Sequence, residues 1–121
     1  MISNKQDITE RTYNFAIRIV KMVNSMPRNI SGMIIGKQVL RAGTSIGANI
    51  EEAQGAYSKD DFTHAINISR KEARETKFWL RLITDTGLLS KNKTKLLLQE
   101  TEELICILTA IVKKSKLIHN S

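Results

Sequence analysis

Arg70, Arg74, Lys77 and Arg81 recur at steps of four, three and four residues. On an α-helix that spacing gathers them within about 60° of one another, as one basic ridge. A row of such cations suits a nucleic-acid backbone, because each phosphate it neutralises releases condensed counterions. Lys113, Lys114 and Lys116 form a second cluster near the C-terminal end, where positive charge also suits the negative pole of a helix dipole. Glu72 and Glu75 share the helix of the first group, so an ordinary solvated surface is the competing reading. Readout of base sequence has no support. The chain has neither zinc-finger spacing nor a helix-turn-helix signal, and nothing in it marks an aromatic platform for single strands.

Signals for catalysis are weaker still. His64 follows Asp61 by three residues and Asp60 by four, a spacing found in carboxylate-histidine metal pairs inside bundles. Such a centre needs a second pair and further inward carboxylates, which His119 in the tail does not supply; no metal site is expected. Glu51 and Glu52 are consecutive and point about 100° apart on a helix, so they make no carboxylate pair. Ser45 and Asn49, one turn apart, are placed to bond each other or a neighbouring backbone. No phosphate-cradling loop is present. The sequence assigns no catalytic residue and no cofactor, and the protein is expected not to be an enzyme.

The elements that must position these residues follow from composition and periodicity. A chain of 121 residues suffices for one core, so residues 1–121 are read as a single domain. Hydrophobic residues make up 41% but aromatics only 5%, which suits aliphatic helix packing. The formal charge of +7 favours polyanions or anionic surfaces as partners over acidic proteins. The only cysteine, Cys106, excludes an internal disulfide and reads as a structural thiol in an apolar helix. With no leader-like apolar run and no membrane-length stretch, the protein is expected to be cytoplasmic, with no membrane partner.

Ile8, Thr12, Phe15, Ile19, Met22 and Val23 define a first helical stripe, stopped by Pro27. Ile35, Val39, Ala42, Ile46, Ile50 and Ala53 define a second, which Gly55 is placed to end in a left-handed cap. Ser58 with Asp60 and Asp61 announces a third helix, Gly87 closes it, and Ser90 is placed to cap a fourth. The expected spans are about 7–24, 31–55, 59–86 and 91–118. Short connections make the return antiparallel each time. The fold class is therefore all-α, an antiparallel up-down-up-down four-helix bundle.

The third helix carries more apolar surface than one core needs. Phe62, Ala65, Ile66, Ser69, Ala73, Thr76, Leu80 and Ile83 form its inward stripe, while Ile68, Phe78, Trp79 and Leu82 point elsewhere. The fourth repeats this with Leu97, Leu104, Leu108 and Ile111 inward, and Leu96, Cys106, Ile107 and Ala110 off the stripe. Ile68, Phe78, Trp79, Leu82 and Ile107 are accordingly expected at the interface of a homo-oligomer.

Within the second helix, Gly36, Gly43 and Gly47 fall on one strip, each costing about 1 kcal/mol against alanine unless another backbone approaches there. This segment contains Arg41-Ala42 followed by Ser45-Ile46, Ala48-Asn49-Ile50 and Glu52. Further on come Glu75, Phe78-Trp79-Leu80-Arg81-Leu82 and Thr86-Gly87-Leu88-Leu89. Together they resemble the four-helix bundle proteins called 23S rRNA-intervening sequence proteins, over about 8–116. The match departs from the usual pattern at Gly43 and Glu51, where small alanines are common, and at Gln54-Gly55, where the glycine usually comes one position earlier. The resemblance implies a ring of five subunits. It also extends to accessory proteins of diversity-generating retroelements, which assist a reverse transcriptase.

The expected function is that of a non-enzymatic, oligomeric interaction protein. It would hold RNA or DNA without sequence preference through Arg70, Arg74, Lys77, Arg81, Lys113, Lys114 and Lys116, with a reverse transcriptase as a candidate protein partner. The alternative is a structural or regulatory scaffold that recognises only proteins.

Overall fold

A computed structural model describes residues 4–120, with side chains from 8 to 117. It consists of α1 (Asn4–Asn24), α2 (Ile30–Gln54), α3 (Lys59–Asp85) and α4 (Lys91–Asn120). Each helix packs antiparallel on the next to give the four-helix bundle, whereas α1 and α4 meet far less closely. The inward stripes are buried as their spacing requires: Phe15, Ile19, Ile46, Ile50, Ile66, Leu80, Ile83, Leu104 and Leu108 are almost completely shielded. Burying one such side chain contributes about 1.5–3 kcal/mol.

The helix ends are set by local hydrogen bonds. α2 begins at Ile30 rather than Ser31, because the Asn29 side chain caps the Gly32 amide at 2.7 Å. Ser58 accepts from the Asp61 amide at 3.1 Å and caps α3, with Asp60 and Asp61 in its positive first turn. Gly55 does not take the left-handed conformation expected of it; its φ is −97°, and α2 ends on turn bonds to Glu52 and Ala53. The left-handed residue is Gly87, φ +74°, after the Thr86 cap of α3. The Leu88 amide donates to Ile83 and that of Gly87 to Thr84, the paired bonds of a Schellman ending. At the start of α4 the Lys93 amide donates to the Ser90 carbonyl. The outer helices run further than expected, α1 from Asn4 and α4 to Asn120.

Hydroxyl side chains are buried at several levels of the core. Thr12, Ser69, Thr76, Thr94 and Thr101 are buried. Thr12, Thr76 and Thr101 satisfy themselves on the carbonyl one turn back, and Thr94 meets Thr84 across the α3/α4 seam. Ser69 instead donates across to the Ile46 carbonyl of α2 at 2.8 Å, which fixes the α2/α3 register.

Candidate nucleic-acid interface

The basic ridge of α3 divides on folding. Arg74 and Arg81 are exposed, whereas Arg70 and Lys77 are half-buried on the flank that meets α4. Lys77 forms an ion pair with Glu102 of α4 at 2.7 Å, which holds that carboxyl below its usual range. Lys113, Lys114 and Lys116 are exposed near the far end of α4.

The same seam opens into a cleft of about 710 Å³, lined by Lys77 and Arg81 from α3 and by Lys91 and Lys95 from α4, with Leu98 among its apolar residues. Lys91 and Lys95 were not legible as site residues, since only the helix pairing brings them opposite Arg81. Two carboxylates also line the cleft, and both are occupied. Glu102 holds Lys77, and Glu103 accepts from Arg11 of α1 at 2.8 Å. Arg11 also bonds Glu100 at 2.7 and 2.8 Å, which raises the guanidinium pKa and lowers that of the carboxyl. Among the described residues, Arg81, Lys91 and Lys95 form no ion pair. Their charge is therefore directed at solvent.

The residues expected at a subunit contact are placed unequally. Phe78 is 55% exposed, while Ile68 and Leu82 are half-buried. Trp79 and Ile107 are half-buried and pack in part against the bundle's own core. The Trp79 indole donates to Glu75 at 3.1 Å, and Glu75 also accepts from Arg41 of α2. Both bonds pull the Glu75 carboxyl down, that from Trp79 the more strongly. Arg41 bonds Glu72 as well, at 3.2 Å, so the α2 and α3 stretches that carry the family resemblance are tied together.

Apolar surface is exposed elsewhere. Tyr13, Ile17 and Val20 make an outward strip on α1, and Ile30, Met33 and Ile34 are exposed where α2 begins. Both groups lie off the inward stripes that define α1 and α2 in the sequence.

The remaining candidates resolve locally. Ser45 donates to the Arg41 carbonyl at 2.7 Å and Asn49 to the Ser45 carbonyl at 2.8 Å. His64, Glu51 and Glu52 are exposed, and the side chain of His119 lies outside the described residues. No group of three His, Cys, Asp or Glu side chains converges among the described residues. Cys106 is exposed instead of embedded. No described helix is long and apolar enough to cross a membrane.

Antiparallel sequential helices with this charged seam define a four-helix bundle with a cationic cleft between its last two helices. Residues 4–110 match the 23S rRNA-intervening sequence proteins, and the chain belongs to that family. A solved structure similar to it is a protein of unknown function from the S23 ribosomal protein family of Bacteroides thetaiotaomicron. The two are 34% identical and superimpose with a TM-score of 0.86, over 92% of this chain and 99% of that one. None of the curated proteins matches it in sequence.

Proposed function

We propose that this protein is a non-enzymatic, self-associating helical bundle that holds RNA or DNA by the phosphate backbone. The α3/α4 cleft carries the reading: Arg81, Lys91 and Lys95 line it without ion-pair partners among the described residues, while both cleft carboxylates are engaged by Lys77 and Arg11. An unpaired cationic groove attracts a polyanion of any base sequence. Arg74 extends the surface along α3, and Lys113, Lys114 and Lys116 extend it along α4.

Self-association follows from the apolar strips. Tyr13, Ile17 and Val20 on α1 and Ile30, Met33 and Ile34 on α2 make a larger uncovered surface than the α3 patch, because Trp79 is already satisfied within its own chain. The ring of five suggested by the family resemblance needs two different patches meeting head to tail. The α1 strip and the remaining α3 residues, Ile68 and Leu82, lie on helices that do not touch, at opposite corners of the bundle. A ring would repeat the cleft around its circumference and could present a strand to a nucleic-acid enzyme such as a reverse transcriptase. The same exposed α1 strip also favours a second reading, a scaffold that binds only proteins.

Binding of labelled RNA and DNA across a salt series, with mass recorded in the same buffers, tests the proposal. Affinity that falls steeply with salt and is shared among sequences supports it. No binding at low salt leaves the scaffold.

A further inference from the structure

Phe78 lies on the outward face of α3, with 55% of its surface in water. Arg74 precedes it by four residues and Arg81 follows by three, so the three share one exposed strip. Neither arginine has an ion-pair partner among the described residues.

The ring is held from its inner side. It meets Trp79 edge to face, with centroids 4.9 Å apart and planes at 76°. Trp79 is itself anchored by Glu75 and by packing on the core. That contact restrains the ring before any ligand arrives, which lowers the entropy cost of binding.

An exposed aromatic ring between two guanidiniums suits an unpaired nucleobase. The base stacks on the ring, and the flanking phosphates meet the arginines. Arg74 and Arg81 are about 10 Å apart along the helix axis, a span that brackets a stacked nucleotide. A contact with another subunit would first have to strip water from both guanidiniums. In a duplex the bases are already stacked on one another and the ring gains nothing.

We propose that Phe78, with Arg74 and Arg81, forms a stacking site that selects single-stranded RNA or DNA over duplex. This rests on the phosphate-binding reading above. It also supplies the aromatic platform that the sequence alone did not mark.

The test compares the full chain with Phe78→Leu and Phe78→Tyr on labelled oligothymidylate, oligouridylate and a duplex of equal length. Leucine keeps the apolar contact with Trp79 but removes the π face; tyrosine keeps both. The leucine variant is expected to bind single strands about tenfold more weakly, with its duplex affinity and salt slope unchanged and the tyrosine variant near wild type. Equal loss on duplex, or no loss on single strands, overturns the stacking site while wild-type binding leaves the phosphate reading in place. A change in mass for Phe78→Leu assigns the ring to a subunit contact and also overturns it. If the wild type binds neither form at low salt, both readings fall.

Discussion

Gly47 of α2 lies directly against the backbone of Thr12 in α1, so that a Cβ added there would stand 3.2 Å from the Thr12 carbonyl oxygen. A backbone atom cannot swing aside as a side-chain tip can. Gly47→Ala is therefore expected to destabilise by about 1–3 kcal/mol despite its better helix propensity. Gly36 provides the contrast, because its added Cβ would meet only Val23 and Met26 side chains, at 3.6 and 3.7 Å. Gly36→Ala should stabilise by about 0.4–1 kcal/mol. Urea denaturation of the two variants checks the opposite signs.

The Arg11–Glu100 pair sets a pH dependence. Arg11 depresses the folded pKa of Glu100, so the pair's contribution is complete above the ordinary carboxylate range and drains away as pH falls through the folded value. Glu100→Gln should cost about 1 kcal/mol at neutral pH. Denaturation midpoints of variant and wild type should converge in acid, and a gap that persists there would contradict this origin.

Charge in the α3/α4 cleft can be altered in either direction. Lys91→Gln with Lys95→Gln should weaken binding of every nucleic acid and flatten the salt slope by about two units if both meet phosphate. Glu102→Gln releases Lys77 and removes a negative charge, and is expected to tighten binding about threefold. Fluorescence anisotropy across a salt series separates the two effects.

The outer apolar strip predicts a change of mass. If the chain self-associates as proposed, Ile17→Glu with Val20→Glu should lower the mass recorded by light scattering and leave helix content intact, since both positions are already partly in water. Trp79→Asp is expected to behave differently. It removes the donor to Glu75, sets a second carboxylate beside it and vacates core contacts, at a cost of about 2–3 kcal/mol in thermal denaturation.

The inward stripes and most of the caps were legible because both depend on residues a few positions apart. Phe15, Ile46, Leu80 and Leu104 are buried where a period of 3.6 puts them, and Ser58 caps where its hydroxyl can reach Asp61. What depended on a neighbouring helix was not legible. Periodicity gave the angle of Trp79 on α3 but not that α2, through Arg41 and its tie to Glu75, would make that flank a seam. Lys77 belonged to the basic ridge until α4 brought Glu102 to it. Lys91 and Lys95 gained meaning only opposite Arg81. Gly36 looked like Gly43 and Gly47, yet an added Cβ at Gly43 would press on Ile19 at 2.9 Å and one at Gly36 would not.

The loose meeting of α1 and α4 gives the bundle a preferred line of rupture. Along that edge Arg11 is the main clasp, through Glu100 and Glu103, while α2 and α3 stay joined by close packing and by the Ser69 bond to Ile46. Transient opening should therefore swing the first and last helices apart like covers about a spine made of the middle two. Amide hydrogens of α1 and α4 would then exchange in bursts that spare the central hairpin, whose protons leave only when the whole chain unravels.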